Sequence, residues 1–257
     1  MNEDAGAFAL VIGGGSGIGA AVAEAYRARG TTTVTWDIAG SHDLTCDVTE
    51  PDAIDDAVGE TRLRWGVPSW VTVTAGVGQS GLLTEAEPAA FDTVMKVNAR
   101  GPWLCLRAWV AALREQRLAG SFVAVSSVSA RLVDRNMGLY CASKAALSML
   151  VQVAAVEWGE LGIRVNAVAP GVTRTPMLGR GPSATVEGSP WLAGVAERTA
   201  LGRLGEAGDI AQAIIALHTM DWVTGQILEC DGGLSLHSPA DPYGAMRKAS
   251  ASKAGGL

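Results

Sequence analysis

Histidine and cysteine are scarce in this chain, three and four residues in 257. Cys46, Cys105, Cys141 and Cys230 form no Cys-x-x-Cys pair, and His42, His218 and His237 show no ligand spacing. Reduced structural thiols and no metal are therefore the expectation. Charge is also sparse, 18% of residues, with a net charge of −6 and no lysine-rich run, which removes the electrostatic case for nucleic acid or an anionic membrane. The start, Met-Asn-Glu-Asp, is acidic, and the first apolar stretch, Phe8–Ile12, is far too short for a signal peptide or a membrane span, so a cytosolic location is expected. No Pro/Ser/Gly-rich linker divides the chain. It reads as one domain over residues 1–237, followed by a tail, 238–257, of small residues without a core pattern.

What the chain does have is alternation. Short β-branched runs (Phe8–Ile12, Thr32–Asp37, Trp70–Thr74, Ser121–Ser126, Arg164–Ala169, Gln226–Cys230) are separated by amphipathic stretches. The stretches predict helices over Ile18–Arg29, from Glu50, over Pro88–Arg117, over Tyr140–Leu161 and around Gly208–Leu217. Strands alternating with helices predict an α/β fold: a single doubly wound, Rossmann-like domain whose parallel sheet carries helices on both faces. Ligands of such sheets bind at the carboxyl ends of the strands, by the switch point. Residues 176–198 have scattered Gly, Pro and Ser and weak periodicity, and read as a loop with a short helix, a lid over that end.

Two patterns carry chemistry. Tyr140 and Lys144 are spaced i, i+4 on a predicted helix, which stacks an ammonium beside a phenol. A cation about 4 Å away at an effective dielectric near 20 favours the phenolate by about 4 kcal/mol, enough to bring a phenol of pKa about 10 toward neutral pH. Ser127, at the end of an apolar run, could set its hydroxyl beside that phenol. The second pattern is Gly13-Gly-Gly-Ser16-Gly17-Ile18-Gly19, directly after the first strand and leading into a helix. In a chain with 32 glycines the spelling is weak, and the strand–turn–helix context gives it weight as a pyrophosphate cradle. The second strand then ends in Asp37, whose carboxylate suits ribose hydroxyls and repels a 2′-phosphate. Ser16, Ile38 and Ala39 supply no cation there, so NAD(H) is expected over NADP(H).

With these pieces in register the chain resembles the short-chain dehydrogenase/reductase family from about Phe8 to Ser235. The matching residues are Gly13/Gly17/Gly19, Asp47-Val48, Asn98, Ser127, Tyr140-x-x-x-Lys144, Asn166-Ala-Val-Ala-Pro170-Gly171-Val172-Thr-Arg-Thr175, Gly202-Arg-Leu-Gly and Asp231-Gly-Gly. The resemblance implies Tyr140 as general acid/base, Ser127 as holder of the substrate oxygen, and Lys144 as tuner of the phenol and contact to the nicotinamide ribose. It also implies Asn98 as a local helix interruption that holds a relay water, Asp47 on the adenine, and Val172 and Thr175 on the carboxamide. Cofactor contacts would run along Gly13, Ser16, Gly17, Ile18, Gly19, Asp37, Asp47, Val48, Ala75, Gly76, Tyr140, Lys144, Pro170, Gly171, Val172 and Thr175, and a homotetramer is implied. Thr175 also reads as a helix N-cap before Pro176. Two departures stand out: Ile12 where the family usually has Thr, and Val73-Thr74-Ala75-Gly76 where it has Asn-Asn-Ala-Gly. They predict a cofactor cleft short of backbone-tying hydrogen bonds.

For the substrate, Met177, Leu178, Val186, Trp191 and Leu192 in the lid, with Met137 and 77–83, predict an apolar pocket for a medium-sized secondary alcohol or its ketone. Ordinary packing is the alternative reading of each lid residue. Arg174 and Arg180 keep a 3-oxoacyl-thioester reductase as the rival, and a non-catalytic dinucleotide-binding module is a remote one.

Overall fold

A parallel sheet whose two faces are both covered needs strands that are apolar on both sides. In β1 (Phe8–Ile12), Ala9 and Val11 point to one face while Leu10 and Ile12 point to the other, and all four are buried. The computed structural model describes residues 8–179 and 185–236. Within it β1 is flanked by β2 (Thr32–Asp37) and β4 (Trp70–Val73), in a seven-stranded sheet of order β3-β2-β1-β4-β5-β6-β9 with every described pairing parallel. The remaining strands are β3 (Leu44–Thr45), β5 (Gly120–Val125), β6 (Ile163–Pro170) and β9 (Ile227–Cys230). Helices α1 (Gly17–Ala28) and α7 (Ala207–Thr219) cover one face, joining Val22, Tyr26, Ile210 and Ile214 to Ala9, Val11, Val123 and Val168. Helices α2 (Pro51–Trp65), α4 (Gly101–Gln116) and α5 (Gly138–Trp158) cover the other, around Trp36, Leu113, Phe122, Leu147 and Val151. This is the doubly wound, Rossmann-like architecture expected, and its strand order reverses between β1 and β4.

The helix expected over Pro88–Arg117 is three segments end to end: α3 (Pro88–Met95), a π-helical turn (Lys96–Arg100) and α4. Pro102 contributes a local reason: it has no N–H to give the Asn98 carbonyl its ordinary α-helical rung. Helix α5 starts two residues before Tyr140 and is followed by a 3₁₀ turn (Gly159–Leu161). By length and composition alone it could cross a membrane. Its inner side, with Leu147, Val151, Ala154 and Ala155, packs on the sheet, while Met149, Val153 and Val156 stay exposed.

Two short strands, β7 (Thr173–Arg174) and β8 (Gly205–Glu206), pair as a separate ribbon at the root of the expected lid. They have no sequence signature, because two residues cannot show a period. Among the described residues of the segment expected to form a lid, 176–198, lie a 3₁₀ turn (Pro176–Leu178) and helix α6 (Pro190–Arg198). Arg180, His237 and the tail expected at 238–257 lie outside the described residues. Of the other histidines, His218 is a packing residue: its ring nitrogens lie 3.1 Å from Thr72 Oγ1 and 2.9 Å from Ser121 Oγ, stacked on Trp70.

Candidate active site

The turn after β1 is held where only glycine fits. Gly13 has φ 84°, and a Cβ on it would lie 2.5 Å from the Ala75 nitrogen; one on Gly19 would lie 2.1 Å from the Gly13 carbonyl oxygen. The β1–α1 turn and the β4 end are thus pressed together at the switch point. Thr74 ties them: its hydroxyl lies 3.1 Å from the Ile12 carbonyl and 2.9 Å from the Gly13 carbonyl. This corrects the expectation from Ile12 and Thr74. Ile12 goes into the core, and the threonine hydroxyl makes the backbone tie that the asparagine was expected to supply.

The first turn of α1 carries no acidic residue, and Ser16, at its N-cap position, makes no side-chain capping bond. The N–H groups at Gly17, Ile18 and Gly19 therefore meet no acid from their own helix turn. Asp37, at the end of β2, accepts from Gly15 N–H at 2.8 Å through Oδ2 and from Ile38 N–H at 2.7 Å through Oδ1. It locks the glycine turn and caps its own turn, while Oδ2 keeps a lone pair for a further donor. Asp47 accepts from Thr49 N–H at 2.8 Å, and Val48 is buried beneath Gly101. Thr175 stands at the N-cap position before Pro176, but its side chain makes no capping bond. It lies instead against Gly17, whose added Cβ would be 3.4 Å from Thr175 Cβ. Pro170 ends β6, the Gly171 N–H donates to the Cys230 carbonyl, and the Val172 carbonyl accepts from Gly205, which fixes this loop beside the cleft. These residues fit a dinucleotide: a glycine cradle, a helix N-terminus free of acid and a ribose-facing carboxylate.

At the neighbouring strand ends lie the polar residues. Asn98, fully buried in the π-helical turn, accepts from Val77 N–H at 2.8 Å, and its amide donates to the Val77 carbonyl at 2.9 Å and to Ser143 Oγ at 3.1 Å. Ser143 donates in turn to the Tyr140 carbonyl at 2.7 Å, so the β4 loop, the π-helical turn and α5 are bolted together. Gly76 sits against this junction; a Cβ there would be 3.3 Å from Asn98 Oδ1 and 3.5 Å from Lys144 Nζ. Ser127 lies beside the Tyr140 phenol and acts to pull its pKa down. Sequence reasoning missed Ser143, although its position three residues after Tyr140 puts it on the same helix face.

The electrostatics differ from the sequence expectation. Lys144 is 4% exposed, and its ammonium donates to the Val125 carbonyl at 2.8 Å, 5.8 Å from the centroid of the Tyr140 ring. Burial pulls its pKa down to about 8. The phenol is itself raised above its ordinary value by burial, against the opposing pull of Ser127 and with a further push from Cys141. A lysine that loses its proton near pH 8 is neutral before such a phenol ionises, so in the free protein desolvation wins and Tyr140 is held protonated.

The apolar residues of the segment expected to form a lid divide between the two readings. Leu192 is fully buried and packs with Leu178, Val186 and Val172 around Leu204, so these are packing residues. Met177 and Trp191 are exposed, and Met177 faces Gly78 of the β4 loop, with a Cβ there 3.9 Å from its Cγ. Leu83 lies over Gly138 and Met137 bridges to Gly81, which puts both beside the start of α5.

A family model described as enoyl-(acyl carrier protein) reductase matches residues 13–235. The 2,5-dichloro-2,5-cyclohexadiene-1,4-diol dehydrogenase of Sphingobium indicum is 32% identical over 251 residues, covering 91% of this chain and 99% of that protein. The cis-4-hydroxycyclohexanecarboxylate dehydrogenase of Sinomonas cyclohexanicum is 34% identical, over 88% of this chain and 95% of that one. Among solved structures, the ligand-free aldohexose dehydrogenase of Thermoplasma acidophilum has a TM-score of 0.83 at 26% identity, covering 91% of this chain and 96% of that one.

The Thr74 tie gives a direct test. Thr74→Val keeps the shape and removes the hydroxyl, so the unfolding free energy should fall by about 1 kcal/mol, whereas Thr74→Ser should keep most of it. Denaturant titration reading no loss for Thr74→Val would show that the two carbonyls do not need the hydroxyl.

Proposed function

The chain belongs to the short-chain dehydrogenase/reductase family, and from that premise we propose that it is an NAD(H)-dependent oxidoreductase that interconverts a secondary alcohol and its ketone. One observation carries the reading: Ser127, Tyr140 and Lys144 converge at the strand ends beside a glycine cradle that fits a dinucleotide. A nicotinamide cofactor bound there supplies or accepts the hydride. The chain's residues do the rest. Ser127 holds the substrate oxygen, and Tyr140, held protonated by burial, is a general acid toward a carbonyl oxygen. Lys144 and Asn98 hold the phenol's helix and loop in register, and Met177, Met137 and Leu83 keep water from the reacting carbon.

Asp37 followed by an exposed Ile38 supports NAD(H) over NADP(H), because a 2′-phosphate would meet the carboxylate. A medium-sized, apolar, alicyclic alcohol is supported by the apolar mouth and by two relatives named as dehydrogenases of a cyclohexadiene diol and a hydroxycyclohexane carboxylate. Self-association into a tetramer is supported by apolar side chains left exposed on adjacent helices, Trp103 on α4 and Met149, Val153 and Val156 on α5.

Reduced-nicotinamide absorbance, followed with a panel of cyclic and acyclic secondary alcohols and ketones, should show turnover in the wild type. Tyr140→Phe should lower it by roughly 10²–10⁴ while NADH still binds. Calorimetry should give NADH at least about tenfold tighter than NADPH, about 1.4 kcal/mol. Equal affinities would refute the cofactor choice, and an active Tyr140→Phe would refute the acid. For the assembly, light scattering at micromolar concentration should report four chains; a monomer mass contradicts it.

A further inference from the structure

Ser129 is a buried hydroxyl, 8% exposed, to which the proposed chemistry gives no task. Its backbone N–H donates to Ser127 Oγ at 3.1 Å, and its own hydroxyl donates to Asp134 Oδ2 at 3.1 Å. The Asp134 carbonyl then accepts from Met137 N–H at 3.2 Å, closing the turn from which α5 departs toward Tyr140. Asn136 in that turn takes φ 70°, and its carbonyl accepts from Gly81 N–H at 2.8 Å. At the other end of the same loop Arg131 pairs with Glu229 of β9, whose Oε2 accepts from Ser235 Oγ at 2.9 Å. The loop is thus pinned at both ends, and inside it the 3₁₀ turn Val128–Ala130 is tied to Asp134 through the Ser129 hydroxyl.

A serine hydroxyl turns among three staggered positions unless its lone pairs are engaged. The Ser129 N–H engages one lone pair of Ser127 Oγ from within the 3₁₀ turn Val128–Ala130, and the bond from the Ser129 hydroxyl to Asp134 anchors that turn to the loop leading into α5. We infer that Asp134, acting through Ser129, is a positioning residue that aims the Ser127 hydroxyl at Tyr140 and the substrate oxygen. The inference rests on the reading of Ser127 given above. Asp134 itself is exposed and touches neither reacting group; its effect passes along the chain Asp134, Ser129, Ser127.

Kinetics of four variants test it. Ser129→Ala and Asp134→Ala should each lower kcat roughly ten- to a hundredfold, the scale of a misplaced catalytic group, with the Kd for NADH unchanged. Asp134→Asn keeps an acceptor oxygen and should recover most of kcat. The double variant should be no slower than either single one, since both break the same link. Multiplying losses, or Asp134→Asn as slow as Asp134→Ala, would overturn the inference. An inactive wild type would instead sink the oxidoreductase reading, and hydrogen exchange then reads the link by itself. The Ser129 amide should exchange faster in Asp134→Ala than in wild type; unchanged exchange also overturns the inference.

Discussion

The geometry of the site depends on one buried charge, the Lys144 ammonium seated on the Val125 carbonyl. That bond joins α5 to the end of β5, and it is part of a polar seam. Ser126 Oγ lies 2.7 Å from Ser148 Oγ, and Ser148 donates to the Lys144 carbonyl at 2.9 Å. Because β5 runs on into Ser127 and α5 carries Tyr140, whatever fixes β5 against α5 also fixes the serine against the phenol. An apolar residue at 144 could fill the space without a desolvated charge. Lowering the pKa from 10.5 to about 8 corresponds to about 3 kcal/mol of folding free energy withheld at neutral pH. A cost of that size at a cleft is what the proposed role of Lys144 in the site would have to offset.

The same burial explains why the phenol is not tuned as i, i+4 spacing suggests. Spacing gives proximity, and proximity sets the size of a Coulomb interaction. Its outcome depends on whether the cation is still charged when the phenol ionises. With both groups desolvated, the lysine gives up its proton first, so the free protein holds a protonated phenol beside a lysine engaged elsewhere. Ser127 is the group that pulls the phenol's pKa down, which makes the aim of its hydroxyl matter more than the distance to Lys144.

Much of the fold was legible because it is written locally. Alternating burial in β1, the glycine turn that follows and the helical period of α5 need no knowledge of the rest of the chain. The two-residue strands β3, β7 and β8 were not legible, since they exist only by pairing with distant segments. In the site, the spacing of Ser127, Tyr140 and Lys144 announced a cluster, but the partners of their hydrogen bonds did not follow from it. Thr74 looked like a loss and supplies the missing tie, because a hydroxyl at that backbone position reaches the same carbonyls. Leu178, Val186 and Leu192 looked like pocket and are packing residues, a distinction that composition does not carry.

The buried ammonium is tested most directly by unfolding free energies of wild type and Lys144→Met between pH 7 and pH 10. The folded lysine loses its proton near pH 8 while the unfolded one keeps it to about 10.5, so in this window the unfolded state binds more protons at this site and the Lys144 contribution to stability rises with pH. The buried thiols, Cys46 among them, titrate in the opposite sense but are common to both proteins. The difference therefore isolates Lys144: wild type should gain about 2–3 kcal/mol on the methionine variant across the window. Parallel curves would mean that the ammonium is not desolvated, and that the docking of α5 on β5 rests on something else.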